Sequence, residues 1–331
     1  MKAQVIKKFG DPSVFEIADV PKPEVIPGHV VIQVKATSVN PVDTKVRSGL
    51  VAAVAPAFPA VLHGDVAGVV TEVGEGVTEF KAGDEVYGCA GGFKGTGGAL
   101  AEYMLADVQL LAPKPKNVTM AQAAALPLVT ITAWESLYNR ANVQNGQTVL
   151  VHGATGGVGH VAIQLAKLAG AKVFTTASST EKLIIGNQLG ADVAINYREQ
   201  SVGEYVKEHT DGKGFDIVFD TVGGENLDRS FQAAAINGTV LAIAARSTHD
   251  LSPLHAKGLS LHITFMLLKV MNKDQRQDHG KILREVTNLV EEGKLHSLVD
   301  ERTFTFDQVS DAHTLLESNK AIGKVVLINE W

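Results

Sequence analysis

The stretch Val149-Leu-Val-His-Gly-Ala-Thr-Gly-Gly-Val-Gly159 constrains this chain more than any other. An apolar strand-like run enters a glycine-rich turn, and the turn opens a helix. That arrangement aims backbone N–H groups and the positive end of a helix dipole at a phosphate. The glycine set reads Ala154-x-Gly156-x-x-Gly159, with alanine where the first glycine of a dinucleotide fingerprint usually stands. Context recovers the specificity lost there, because strand and helix patterns keep alternating after the turn.

Strand patterns fall at Thr148–Val151, Lys172–Thr176, Val193–Asn196, Phe215–Asp220, Thr239–Ile243 and Leu261–Phe265. Helical patterns lie between the early ones, at Val158–Ala169, Thr180–Leu189 and Ser201–His209, the last opening on a Ser201-x-x-Glu204 capping box. Six strands suffice for a complete doubly wound dinucleotide-binding sheet. Residues 1 to 115 have another texture, with short valine-rich runs closed by Gly74-Glu-Gly76 and Gly83-Asp84, and they predict a small β-barrel. The alanine-rich run Met120–Leu126 marks the boundary, and the tail from about Arg302 returns to strand texture and is expected to rejoin the barrel.

A chain of 331 residues exceeds one hydrophobic core, so two domains are expected. A net charge of −6 offers no basic face for nucleic acid. No apolar run is long enough to span a bilayer, and the N-terminus enters strand-like sequence directly, so a cytoplasmic protein is expected. The single Cys89 excludes the thiolate-rich metal sites on which many dehydrogenases depend. These features together predict a metal-free, dinucleotide-dependent oxidoreductase.

The end of the second strand selects the cofactor. A carboxylate about 20 residues beyond the glycines would hold the ribose 2′-hydroxyl of NAD. Here Val173-Phe-Thr-Thr-Ala-Ser-Ser-Thr-Glu-Lys182 places no carboxylate before Glu181. Ser178 and Ser179 offer hydroxyls, Lys182 a cation, and Tyr197 follows the third strand, so a 2′-phosphate and hence NADPH is expected. Ala154, Thr155, Gly156, Gly157, Val158 and Gly159 form the expected pyrophosphate cradle.

Motifs along almost the whole chain resemble the zinc-independent medium-chain dehydrogenase/reductases of the NADPH:quinone oxidoreductase (zeta-crystallin-like) family. They include Asn40-Pro-Val-Asp43 with Arg47-Ser-Gly49, Asp65-Val-Ala-Gly68, Gly83-Asp-Glu-Val86, Ala101-Glu-Tyr103 and Thr132-Ala-Trp134. The phosphate turn, Gly190-Ala-Asp192, Asp220-Thr-Val-Gly223 and Gly323-Lys324 complete the set. The resemblance implies an α/β architecture, with a GroES-like β-barrel catalytic domain over 1–122 and 268–331 and a Rossmann domain over 123–267. Where zinc-dependent relatives carry ligands, this chain has Asn40 and Gly64, and His63 beside the lost ligand is expected to be structural.

The resemblance places Asn40 and Thr132 near the nicotinamide, with Val222 and Ile243 lining its ribose side. Asn40 is the expected donor that orients the ring or a substrate oxygen. Lys45 stands where relatives often carry tyrosine, and it and Arg47 are candidate catalytic cations with a solvated charge and an ion pair as their alternatives. Trp134 and Tyr138 are expected in the core, and Asp65 and Asp84 as turn braces. The resemblance implies that the apolar Leu259–Leu268 stretch pairs across a two-fold axis at the sheet edge, so a homodimer is expected. The expected reaction is NADPH-dependent, metal-free reduction of a quinone or related α,β-unsaturated carbonyl. The alternatives are a 2-alkenal or enoyl-thioester reductase and a non-catalytic NADPH-binding protein.

Overall fold

Strands and helices follow the punctuation of the sequence. The computed structural model describes residues 1–331. The chain begins with β1 (Lys2–Ile6), β2 (Phe15–Asp19), β3 (His29–Val39) and α1 (Pro41–Ser48). It continues through β4 (Asp65–Val73), β5 (Glu85–Cys89), β6 (Tyr103–Asp107), β7 (Leu111–Pro113), α2 (Met120–Ala124) and α3 (Pro127–Trp134). A π-helical turn over Glu135–Arg140 extends α3 and leads to β8 (Thr148–His152) and α4 (Gly157–Leu168). Next come β9 (Lys172–Ala177), α5 (Thr180–Gln188), β10 (Val193–Asn196), α6 (Val202–Thr210), β11 (Phe215–Asp220), α7 (Asn226–Ala233) and β12 (Ala234–Ala242). The chain closes with α8 (Ser252–Lys257), β13 (Ser260–Ile263), α9 (Leu267–Met271), α10 (Arg276–Glu291), β14 (Phe304–Thr305), α11 (Val309–Glu317) and β15 (Val325–Ile328).

Two compact units result, one of Met1–Ile131 with Leu267–Trp331, the other of Thr132–Met266. The first division falls after Ile131, nine residues beyond the expected 122, because α2 packs on β3 and β4 and stays with the first unit. In that unit the sheet order is β14-β15-β3-β4-β5-β7, with β6 also paired to β3. The expected return of the tail is realised: β15 runs antiparallel to β3, Val325 opposite Val39 and Ile328 opposite Ala36. Long β3 alternates partners along its length, so side chains from both chain ends converge around its C-terminus.

The second unit is a six-stranded parallel sheet in the order β10-β9-β8-β11-β12-β13. The order reverses direction at β8, and the crevice outside the carboxyl ends of the strands there is where such sheets take ligands. Leu150, Phe174, Ile195, Phe215, Val218 and Phe231 fill the core on one face. The six expected strands are present within a few residues, as are the three expected helices and the Ser201–Glu204 capping box. Helices α7 and α8 escaped the sequence reading. Asn226–Ala233 spans only eight residues and buries just Leu227 and Phe231 as large apolar side chains, so its amphipathic pattern is too short to stand out.

Candidate active site

The phosphate turn is built by close approach. Gly153 leaves β8 with φ +81°, a left-handed conformation that glycine adopts without strain. A Cβ on Gly159 would lie 2.0 Å from the Gly153 carbonyl oxygen, so the helix can sit this close only without a side chain. Gly156 caps α4 in an extended conformation and is exposed, with Gly157 and Val158 half-buried behind it. The Gly157 and Val158 N–H groups belong to the first helical turn, which has no intrahelical acceptors to offer, while the Gly156 N–H donates to the Gly153 carbonyl at 3.0 Å. Ala154 and Thr155 are buried, so of the motif's residues before Gly159 only Gly153 and Gly156–Val158 reach the surface. Beneath the turn, His152 is buried, meets Thr176 Oγ1 through Nδ1 at 3.0 Å and leaves Nε2 without a partner. An uncovered helix terminus above an unsatisfied buried nitrogen fits a dinucleotide phosphate at this turn.

Ser179 is the N-cap of α5, its Oγ accepting from Lys182 N at 3.4 Å. Ser178 and Lys182 are half-buried beside it. Tyr197 N donates to Ala177 O at 3.3 Å, and its ring is 46% exposed. The structure therefore brings Ser178, Ser179 and Tyr197 to the carboxyl ends of adjacent β9 and β10. Asp220 shapes the neighbouring loop: Oδ1 accepts from Val222 N (2.8 Å) and Gly223 N (2.7 Å), and Oδ2 from Asn226 Nδ2 (3.0 Å) and Ser230 Oγ (2.8 Å). Val222 is left 56% exposed, and Ile243 is half-buried at the end of β12. Thr132 is buried on α3, and Ser136 one turn later bridges the Thr132 carbonyl and Thr264 Oγ1 at 2.8 and 2.9 Å. Trp134 and Tyr138 pack edge to face with centroids 4.6 Å apart, but both are half-buried and lie at the margin of the core they were expected to join.

In the first unit the ends of β3, β4 and β15 hold a buried polar cluster. Asn40 joins β3 to α1, and its backbone N–H donates to Asp43 Oδ2 at 2.7 Å. Its amide Nδ2 donates to Asp65 Oδ2 at 2.8 Å, while Lys324 Nζ donates to its Oδ1. Lys324 also reaches the Val39 carbonyl (3.2 Å) and Asp65 Oδ2 (3.4 Å). Ser38 Oγ donates to Asp65 Oδ2 at 2.8 Å, and Leu128 N at the start of α3 donates to Oδ1 at 2.9 Å. Burial, with Asp65 nearby, pushes the Asp43 carboxyl up to about 7 despite the Asn40 N–H.

A second chain of bonds reaches the same place. Arg47 donates through Nη2 to Glu317 (2.7 Å), through Nε to the Gly10 carbonyl (3.2 Å) and through Nη1 to His313 Nδ1 (3.3 Å). Guanidinium only donates, so His313 Nδ1 accepts and its proton sits on Nε2. That proton points at His63 Nε2, 2.9 Å away, which leaves the His63 proton on Nδ1, facing Thr37 Oγ1 at 3.3 Å. Thr37 Oγ1 donates in turn to the Asp65 carbonyl at 2.6 Å. Both rings are neutral: burial, assisted by Lys324, holds His63 down to about 3, and burial followed by His63 and Arg47 holds His313 well below its ordinary value.

These contacts select the ion-pair alternative for Arg47 and enlarge the role expected of Asp65. Arg47 is buried with its guanidinium committed inside the first unit, so it braces the fold and presents no cation to a substrate. Asp65 is more than a turn brace, since it gathers Ser38, Asn40, Leu128 and Lys324. Asp84 does brace its turn, accepting from Lys81 N at 2.9 Å. Lys45 is half-buried on α1 and takes part in no ion pair. Lys324 escaped the sequence reading as a site residue. Its Gly323-Lys324 motif was visible, but its partner Asp65 lies 259 residues away in sequence. No three His, Cys, Asp or Glu side chains converge as metal ligands, and buried Cys89 has its thiol pushed up by burial. The residues present do not fit a catalytic zinc site.

Residues 26–116 match the family described as "Alcohol dehydrogenase GroES-like domain", and residues 189–327 that described as "Zinc-binding dehydrogenase". The chain is 36% identical over 334 residues to the NADPH-dependent alkenal/one oxidoreductase, chloroplastic, of Arabidopsis thaliana, covering 99% of this chain and 79% of that one. It is 31% identical over 330 residues to the quinone oxidoreductase of Homo sapiens, covering 99% and 98%. An alcohol dehydrogenase superfamily protein from Novosphingobium aromaticivorans superposes with a TM-score of 0.94 at 40% identity, over 99% of each chain. With a GroES-like unit, a doubly wound dinucleotide-type sheet and no zinc ligand set, the chain belongs to the zinc-independent medium-chain dehydrogenase/reductases of the quinone oxidoreductase family.

Proposed function

We propose that this chain is an NADPH-dependent reductase that transfers hydride to a quinone or related α,β-unsaturated carbonyl without a metal. The observation that carries the reading is the exposed N-terminus of α4 behind the Gly153–Gly159 pinch, next to a strand end that offers Ser178, Ser179 and Lys182 and no carboxylate. The relatives support the acceptor class, one named for alkenals and enones and another for quinones. Bound NADPH supplies the hydride. Gly157 and Val158 hold its pyrophosphate with backbone N–H groups, exposed Gly156 lets it approach, and Ser178, Ser179, Lys182 and Tyr197 receive the 2′-phosphate. Thr132, Val222 and Ile243 serve the nicotinamide end. Hydride arrival at a conjugated carbon pushes charge onto a carbonyl oxygen, which hydrogen-bond donors stabilise without a Lewis acid. Asn40 is that donor, through the Nδ2 proton not spent on Asp65, and Lys45 is the nearby cation on α1.

Small enones are the second reading. Lys45 stands where the resemblance implies a tyrosine able to stack on a quinone, and the plant alkenal/one enzyme shares more identity than the human quinone enzyme. No helix is long and apolar enough to cross a membrane, and we place the protein in the cytoplasm. We also take it to be a homodimer through the edge strand β13.

Nicotinamide fluorescence titration with NADPH and NADH in parallel tests the reading, followed by turnover with 1,2-naphthoquinone and a small enone. Tighter NADPH binding and acceptor-dependent oxidation are expected. K182A should weaken NADPH by about tenfold, the value of one charge-assisted contact, and leave NADH unchanged. Binding without turnover on either acceptor would transfer the case to a non-catalytic NADPH-binding role.

A further inference from the structure

Asn40 is an amide that cannot turn. Lys324 has only donors, so the atom facing it is Oδ1; Asp65 Oδ2 also accepts from Ser38 Oγ, so the atom facing it is the donor Nδ2. The two partners also meet each other at 3.4 Å, closing a ring of ammonium, amide and carboxylate in which all three residues are buried. Lys324 immediately precedes β15, Asp65 starts β4 and Asn40 follows β3, so the ring is pinned by three hydrogen-bonded strands. Asp65 is held from behind as well, its carbonyl by Thr37 and its carboxylate by Ser38 and Leu128 N.

The consequence is electrostatic as well as geometric. A cation on an amide oxygen draws electron density from its nitrogen, and hydrogen bonds in series strengthen one another where the local dielectric is low. The Nδ2 proton not used by Asp65 thereby becomes a stronger donor, to the Asp43 carboxyl that the Asn40 side chain also hydrogen-bonds and to an acceptor oxygen that takes its place. Asp65 accepts the other proton and balances the buried charge, which would otherwise be costly. We propose that Lys324 and Asp65 are positioning residues of the reductase: they fix the Asn40 amide with its nitrogen toward the acceptor and polarise it for the charge that develops on the acceptor oxygen. The inference rests on the reading of Asn40 as donor.

A double-mutant cycle on the full chain tests it, with kcat and KM for 1,2-naphthoquinone and a small enone, NADPH Kd by fluorescence, and melting temperature for each variant. N40A and K324M should each lower kcat by about tenfold to a hundredfold, the value of a charge-assisted hydrogen bond. NADPH Kd and acceptor KM should stay within about twofold. The N40A/K324M double variant should be no slower than N40A alone, because Lys324 acts only through Asn40. K324R should recover most of the K324M loss. If K324M does not fold, D65N/K324M removes both charges together, and the same non-additivity with N40A is expected. A K324M loss that multiplies with that of N40A overturns the proposal, as does an unchanged kcat in K324M when N40A is impaired. An unchanged kcat in N40A removes the donor reading itself, and the inference with it.

Discussion

Two glycines three residues apart in one motif carry unequal demands. A side chain at Gly159 would collide with the Gly153 carbonyl, whereas at Gly156 the nearest atom, again the Gly153 oxygen, is 3.3 Å away and the backbone φ is −77°. G159A should therefore destabilise by about 1–3 kcal/mol, the usual cost of overpacking, and displace α4 enough to weaken NADPH binding. G156A should fold with a near wild-type midpoint in urea. Equal costs for the two would remove the close-approach argument. Buried histidines make a second residue-scale case. Burial holds His152 down to about 4, with Arg229 adding to the effect and Asp220 opposing it, and holds His63 down to about 3. A depressed folded-state value means stability that is fully present above about pH 6.5 and is lost as pH falls through 4 and 3. For His152 alone that amounts to about 3 kcal/mol. Asp43, raised to about 7, runs the other way and favours the fold as pH drops from 7 toward 3.8. Denaturant midpoints between pH 7 and 4 should fall in the wild type and fall less steeply in H152N; parallel slopes would rule His152 out.

Elements were legible where periodicity was long and end signals were strong. Ser179 and Ser201 cap α5 and α6 as their positions in the sequence suggest, and the capping serine at 179 also stands beside the expected phosphate. The β11–α7 connection was not legible, because its organising residue acts through a buried carboxylate. Asp220 satisfies two loop N–H groups and two side chains from α7, so it sets both the loop conformation and the start of the helix. D220A strands those donors and should cost about 3–5 kcal/mol, with NADPH affinity falling as Val222 shifts. D220N, which keeps an acceptor oxygen, should lose roughly half as much. Chemical denaturation with a parallel NADPH titration checks both, and equal losses would mean that charge, not hydrogen bonding, holds the loop.

At the scale of the molecule, the free edge of the six-stranded sheet predicts assembly. β13 pairs on one side only, with β12, and Ile263 and Phe265 at its end are 46% and 44% exposed. Unpaired edge backbone with apolar side chains is an association site unless something covers it. A dimer mass is expected by light scattering, and I263K should give a monomer with the sheet intact by circular dichroism. A monomeric wild type would end the proposal.

The sequence by itself determined what depends on neighbours along the chain. The strand–turn–helix of the phosphate cradle, the alternation that makes a parallel sheet, the caps and the absence of a carboxylate at the second strand end are all local patterns. They follow from period, turn chemistry and the phosphate's need for helix N–H groups. Only the tertiary structure decided the rest. It assigned Arg47 to Glu317 and His313, it drew Asp65 away from a simple turn, and it brought Lys324 to Asn40 across 284 residues. Such pairings arise because β15 closes on β3 in a register fixed by the whole sheet, and burial then makes each charged group find a partner or pay for being alone.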